Sequence, residues 1–302
     1  MLSLYKYYAD LSTNGRLVKY MKPVTVDAFS PVPYGGNPAG VAVYEHALPS
    51  EAEMRSIARE MGYSETAFVL PLSKTRFLIR YFTPVEEVPL CGHATIGTFA
   101  YLLSIGMIAD DSSLIAETKA GDIGVIIENS LIWLDMAKPK ELKYLSDADS
   151  NELLNCFGFD KPASSCFGAL CPAISDTGLA DIMLPLASQA LLNGLKPDMA
   201  RIAALSKRLC VTGVHAFVNA EDAIHCRNFA PLYGIDEEAA TGTSNGALTY
   251  YLYKNRLIEP DRINLFIQGE SMNRPSRIYS RLSMDEISDI LIRIGGNGAV
   301  RE

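Results

Sequence analysis

The sequence predicts an α+β fold of two pseudosymmetric lobes, each a barrel-like mixed β-sheet wrapped around one central α-helix. Three observations predict it. The phrase Arg80-Tyr81-Phe82-Thr83-Pro84, leading into Cys91-Gly92-His93-Ala94-Thr95, returns as Arg227-Asn228-Phe229-Ala230-Pro231, leading into Thr241-Gly242-Thr243-Ser244-Asn245. The copies lie close to half of the 302-residue chain apart. Strand-like alternation dominates each half, and each glycine step opens a stretch that is apolar all round at helical period: Ile96, Phe99, Leu102 and Leu103 in one copy, Ala247, Leu248, Tyr251 and Leu252 in the other. A helix of that kind belongs inside its domain. Two matching helix starts imply one cleft between two lobes.

Taken in order, residues 1–20 mix Lys6, Asp10, Arg16 and Lys19 with apolar residues. They lack the unbroken apolar core of a secretory signal and are expected to be a poorly ordered extension, with Met21 an alternative start. Val24–Phe29 alternates as a strand, and the cluster Pro31, Pro33, Gly35, Gly36, Asn37, Pro38 reads as a turn-rich loop before the strand resumes at Gly40. Such a loop either shapes a ligand site or is a plain surface hairpin. Ser50 with Glu53 forms a capping-box pattern ahead of Met54, Ile57 and Ala58, which predicts a helix ending near Gly62. Strands follow at 64–70 and 77–82, and a hairpin at 123–127 and 131–134 across Asn129-Ser130. The polar stretch Lys138–Asp149 suggests the division between an N-terminal lobe, 21–138, and a C-terminal lobe, 139–302, whose last strand is able to pack back on the first. In the second lobe helices are expected at 151–156, 198–209 and 246–254, and strands near 182–185, 215–218, 262–268 and 277–281.

Composition narrows the function. Hydrophobic content of 48% with 21% charged residues is that of a folded globular chain. Acidic residues outnumber basic ones 35 to 27, for a net charge of -8, and no Lys/Arg cluster is long enough to track a phosphate backbone. No apolar run reaches the roughly 18 residues of a membrane span. The six cysteines show no paired spacing, so a reducing cytoplasm is expected. With no C-x-x-C and four scattered histidines, no metal site is expected.

The chemistry concentrates at the two helix starts. The first amides of a buried helix need partners from elsewhere. With the positive end of the helix dipole they form an anion site worth about 1–2 kcal/mol per favourable contact. Two such ends facing one another would grip a small carboxylate and stabilise a developing enolate. The plainer alternative is that the glycines permit a tight turn and that Thr243 and Ser244 cap it. Duplication of Arg-x-Phe-x-Pro at matched offset favours the functional reading, since capping needs no such copy. Glu65, in Ser64-Glu65-Thr66, is either an exposed junction residue or a partly buried proton carrier.

These residues, with Asn37-Pro38-Ala39-Gly40-Val41, Ser64 through Val69, Glu87-Val88, Gly234-Ile235, Gln268-Gly269 and Arg274-Pro275-Ser276, resemble the PhzF-type phenazine-biosynthesis isomerase family, whose fold is similar to that of diaminopimelate epimerase. The resemblance implies two lobes around central helices, a cleft between them, usually a homodimer, and neither metal nor organic cofactor. It implies that a proton leaves one carbon and returns to another, that Glu65 matches the general acid/base, and that His93 matches an active-site histidine. The expected site is thus Glu65, His93, Glu238 and Thr243 as catalytic residues, with Asn37, Gly92, Ala94, Gly242 and Ser244 around a small carboxylate-bearing substrate. Departures are Glu238 where the phenazine enzyme has Asp, Thr243 where it has Ser, and Ala239 where Pro is usual. Related epimerases place a thiol at each helix start because inversion needs two bases. Here Cys91 has Thr241 as its counterpart, which disfavours a two-thiol racemase. An epimerase or dehydratase using Cys91, and a binding protein that keeps the fold without chemistry, remain as alternatives.

Overall fold

The computed structural model describes residues 7–11, 17–159, 163–284 and 289–301. The chain divides into two compact units, Met1–Leu134 with Gly295–Glu302, and Asp135–Ile294. The polar stretch from Lys138 therefore belongs to the second unit.

In the first unit, β1 (Tyr7–Leu11) and β2 (Leu17–Met21) pair antiparallel. The pair falls within the stretch 1–20 expected to be an extension, of which residues 1–6 and 12–16 lie outside the described residues. Next come β3 (Val24–Ala28) and β4 (Asn37–Val43), antiparallel, so that Asn37 and Pro38, read as loop, already belong to the strand. The helix α1 (Glu51–Met61) leads to β5 (Thr66–Pro71), parallel to β4. Then β6 (Arg76–Phe82) and β7 (Glu87–Val88) each run antiparallel to the strand before. Helix α2 (Gly92–Ser104) precedes β8 (Ser112–Thr118), which is parallel to β6. The meander β9 (Gly121–Glu128) and β10 (Leu131–Asp135) closes the series through Asn129 and Ser130, both at positive φ as a tight hairpin requires. The C-terminal Gly298–Val300 returns to pair with β3.

The second unit has β11 (Lys143–Tyr144), α3 (Asp147–Cys156), α4 (Ala163–Phe167), β12 (Ala173–Asp176), β13 (Ala180–Pro185), α5 (Gln189–Asn193), α6 (Met199–Leu209), β14 (Gly213–Asn219), β15 (Ile224–Ala230), β16 (Ile235–Glu238), α7 (Gly242–Lys254), β17 (Ile263–Gln268), β18 (Ser276–Met284) and β19 (Ile290–Gly296). Its pairings repeat those of the first. β12–β13 is antiparallel, β13–β14 parallel across helices, β14–β15 and β15–β16 antiparallel, and β17 returns parallel to β15 after α7, as β8 does to β6 after α2.

The central helices are buried as their sequences predict. In α2 every residue from His93 to Leu102 is buried, and the helix packs on β3, β4 and β5. In α7 Gly242 and every residue from Ser244 to Leu252 are buried, against β12, β13 and β18. Outer helices are amphipathic instead: α1 turns Met54 and Ala58 onto Phe68 and Phe82, and α6 turns Ile202 and Leu205 onto a cluster with Phe157 and Phe229. Each large side chain so buried contributes about 1.5–3 kcal/mol. The capping box of α1 forms, Ser50 N–H donating to Glu53 Oε2 at 2.8 Å and Gly62 closing the helix at φ 72°. Ser50→Ala is expected to cost about 1 kcal/mol in urea unfolding.

The doubled phrase has a structural role. Arg80 lies 5.2 Å from the Phe82 ring centroid and forks onto Glu87 of β7 at 2.7 and 2.8 Å. Arg227 lies 5.1 Å from the Phe229 ring and forks onto Glu237 of β16 at 2.8 Å twice. Residues i and i+2 of a strand share a face, so Arg-x-Phe stacks its guanidinium on its own ring while reaching the neighbouring strand. The Arg80 guanidinium holds the Glu87 carboxyl below the usual carboxylate range. Copying of the phrase therefore has a cause in strand pairing and does not by itself argue for function. A double-mutant cycle on Arg227 and Glu237, whose side chains are 12% and 16% exposed, is expected to give a coupling of about 1–2 kcal/mol.

Candidate active site

In the first unit, the turn after α1 delivers Glu65 to the head of β5, its carbonyl held by the Gly40 amide of β4 at 3.1 Å. Cys91 is the N-cap of α2, in extended conformation, and its side chain makes no capping hydrogen bond. His93, one step into the helix, is folded back toward both. Its Nε2 stands 3.3 Å from Glu65 Oε2, with side-chain exposures of 6% and 19%. Cys91 Sγ lies 3.4 Å from His93 Nδ1 and 3.8 Å from Nε2. Glu65 Oε2 is sealed from solvent, and its approach to His93 falls within ion-pair distance without hydrogen-bond alignment. Loose alignment of catalytic groups is common before substrate binds. Of the remaining expected residues, Gly92 opens the helix with open space where a Cβ would stand, Ala94 is fully buried, and Asn37 begins β4, 8% exposed. The structure thus brings Glu65 and His93 together and adds Cys91.

In the second unit, Thr241 is the N-cap of α7 and again makes no side-chain cap. Its hydroxyl donates to Glu238 Oε2 at 2.5 Å and accepts from Gln268 Nε2 at 3.1 Å. The N-cap position falls to Thr241, with Thr243 and Ser244 inside the first turn, so neither is the cap that the plainer reading has. The Thr243 carbonyl accepts from the Thr177 hydroxyl at 3.4 Å. Ser244 points inward, donating to Asp181 Oδ2 at 2.5 Å and accepting from Asn228 Nδ2 at 3.1 Å. A ligand at this helix start would meet the backbone of Gly242 and Thr243 rather than the Ser244 hydroxyl.

Behind the helix start runs a buried polar chain. Asn228 Nδ2 donates to His215 Nδ1 at 3.1 Å, and His215 Nε2 lies 3.3 Å from Asn245 Oδ1. Asn245 Nδ2 donates to Gln268 Oε1 and to the Thr241 carbonyl, both at 2.9 Å. Gln268 Nε2 donates to the Glu238 carbonyl at 2.7 Å. With both amides so oriented, His215 is the neutral Nε2–H tautomer. Burial lowers its pKa to about 4, against the opposing pull of Asn245. Burial raises Asp181 to about 6, against the opposing bond from Ser244. Gly269 makes the turn that presents Gln268: its φ is +83°, and a Cβ there would sit 2.4 Å from the Arg274 carbonyl oxygen.

Sequence reasoning did not single out Asp181, His215, Asn228 or Asn245 as site residues. The signal was present for two of them: Asp181 and His215 interrupt strands otherwise apolar on both faces, in ADIMLP and GVHAFVN. A polar group there must be paired inside. A cavity of about 440 Å³ bordered by Asp176, Leu179, Lys207, Cys210 and Tyr233 shares no residue with either helix start. Among the described residues, the donor atoms of Glu65, Cys91 and His93 lie within 4.8 Å of one another, but the Cys91 thiol stands beside the imidazole ring rather than along the lone pair of either nitrogen. No described helix is long and apolar enough to cross a membrane.

Comparison with known proteins locates this arrangement. Residues 26–302 match the family model of the PhzC-PhzF phenazine biosynthesis-like proteins. The chain is 34% identical over 289 residues to an uncharacterized isomerase of Clostridium acetobutylicum, covering 91% of this chain and 94% of that one. It is 32% identical over 279 residues to the trans-2,3-dihydro-3-hydroxyanthranilate isomerase of Pseudomonas fluorescens, covering 91% and 95%. A solved PhzF-family structure from Bacillus anthracis superposes with a TM-score of 0.79 at 26% identity, covering 93% and 98%. A hydroxyproline epimerase from Agrobacterium vitis shares the fold, with a TM-score of 0.59 at 14% identity, covering 93% and 89%.

Proposed function

The chain belongs to the PhzC-PhzF family of phenazine biosynthesis-like proteins, and on that premise we propose that it is an isomerase that moves a proton on a small carboxylate-bearing substrate, with Glu65 as general acid/base. The observation that carries this reading is the approach of Glu65 Oε2 to His93 Nε2, 3.3 Å apart and largely shielded from water, at a helix start without a side-chain cap. The Glu65 carboxylate takes a proton from one carbon of the bound substrate and returns it to another. His93 Nε2 faces the same oxygen and orients or relays that proton. The α2 start offers backbone amides and the positive helix end to the substrate carboxylate and to charge that develops on it. The chemistry needs only groups that this chain supplies. At the helix start of the second unit, the bond from the Thr241 hydroxyl fixes the Glu238 carboxylate, longer by one methylene than the Asp of the phenazine enzyme.

A second reading follows from the Cys91–His93 contact at 3.4 Å, a thiol beside an imidazole. In it Cys91 is the base and the reaction an epimerisation or dehydration. A screen of small carboxylates for deuterium uptake from heavy water, run on the wild type and on Glu65→Gln and Cys91→Ala, separates the two. Uptake lost with Glu65 and kept without Cys91 supports the first; uptake lost without Cys91 and kept in Glu65→Gln replaces it with the second. Binding without any uptake overturns both.

A further inference from the structure

We propose that Arg301 is a positioning residue of the Glu65 site: its guanidinium joins the turn that presents Glu65 to the loop that ends at Asn37, and holds both in place. The role in the reaction rests on the reading of Glu65 as acid/base, while the clasp itself stands on geometry within the first unit. Arg301 follows the Gly298–Val300 strand and is anchored by its amide, which donates to the Thr25 carbonyl at 2.9 Å. Its side chain forks onto Asp27 of β3, Nε donating to Oδ2 at 2.7 Å and Nη2 to Oδ1 at 2.6 Å. The guanidinium carbon lies 4.7 Å from the Tyr34 ring centroid and 5.7 Å from that of Tyr63.

Each partner leads to the site. Tyr63 stands in the turn after α1, two residues before Glu65, and its hydroxyl is reached by Arg301 Nη1 at 3.4 Å and by the Thr25 hydroxyl at 3.2 Å. Asp27 Oδ2 also accepts from the Tyr34 amide at 2.7 Å, inside the loop between β3 and β4. In that loop Phe29 and Tyr34 take φ of 63° and 68°. Bulky side chains rarely adopt the left-handed region, so the surroundings must impose it. The loop delivers Asn37 to the head of β4, and three residues on the Gly40 amide donates to the Glu65 carbonyl. The segments that carry Asn37 and Glu65 are therefore joined twice, at Gly40 and through Arg301.

The clasp calls for a guanidinium. A planar fork meets both oxygens of a carboxylate and leaves its faces to the rings, which the compact ammonium of a lysine does not do. Asp27 is fully buried and the Arg301 side chain is 17% exposed, so the pair is shielded from water. Displacement of a reacting group by about 1 Å costs about 10²-fold in rate, which is how a residue outside the site comes to matter for its chemistry.

The test compares the wild type with Arg301→Lys, which keeps the charge but loses the fork and the flat stack. Without substrate, amide hydrogen exchange read by peptide mass is expected to quicken by more than about tenfold in 29–37 and 62–66 and to stay unchanged in β8 and β9. On a carboxylate that the wild type exchanges, kcat for proton exchange should fall about 10–100-fold, more than KM changes, in protein whose circular dichroism matches that of the wild type. Unchanged amide exchange in either segment overturns the clasp. Loosening of both with kcat at the wild-type value leaves Arg301 a structural residue and overturns its positioning role, as does loosening that spreads to β8 and β9. Should Arg301→Lys not fold, the double variant Asp27→Asn/Arg301→Gln, which leaves no unpaired buried charge, is read in the same way. If no carboxylate exchanges in the wild type, the Glu65 reading has failed and takes the positioning role with it, whereas the amide-exchange result still decides the clasp.

Discussion

Glu65→Gln is expected to slow substrate-dependent proton exchange by about 10²–10⁴-fold, the range that a positioned general acid or base contributes. Gln keeps the volume and one oxygen but cannot take a proton from carbon, so the loss should fall on kcat, with KM little changed. The fold should survive, because Glu65 Oε2 is buried without an aligned hydrogen bond and loses little when neutralised. An unchanged or slightly raised Tm beside the lost exchange is the expected pair of results. Exchange at the wild-type rate in Glu65→Gln would remove Glu65 from the mechanism.

The second large effect is on stability. In unfolded chains Asp181 titrates near 3.8 and His215 near 6.5; in the fold burial moves them to about 6 and about 4. Between pH 4 and 6 folded Asp181 keeps a proton that the unfolded chain has lost, so its contribution falls as pH rises, on the order of 3 kcal/mol in all. Between pH 6.5 and 4 folded His215 refuses a proton that the unfolded chain accepts, so its contribution is present at neutral pH and is lost as pH falls, again on the order of 3 kcal/mol. The two slopes oppose and nearly cancel. Asp181→Asn should unmask the histidine, giving urea unfolding free energies that climb steeply from pH 4 to 6.5; His215→Gln should give the opposite slope. A variant profile parallel to that of the wild type would show that the burial of the substituted group does not set the stability.

How far the sequence could be read depended on whether the signal was local. Ser50 with Glu53, the Asn129-Ser130 turn and the all-round apolar helices α2 and α7 are local patterns, and each formed as read. The meeting of Glu65 with His93 was reached through family resemblance, because nothing in the spacing of 65 and 93 encodes it; it depends on β4 and β5 lying parallel. The polar chain from Asp181 to Gln268 joins five elements and is fixed by their register, which no single stretch carries. Ser244 illustrates the same limit. Its residue type suits a cap, but its place on the inner face of α7 turns the hydroxyl toward Asp181.

The repeated Arg-Phe-Glu clamp makes the chain its own control. The ring distances of 5.2 and 5.1 Å and the forked pairs are closely matched, yet Arg80 also reaches Glu51 of α1 at 2.8 Å while Arg227 reaches the Leu192 carbonyl at 3.3 Å. One substitution made at both positions is thus a replicate within a single molecule: the shared part of the two responses measures the contact, and the remainder measures what surrounds it.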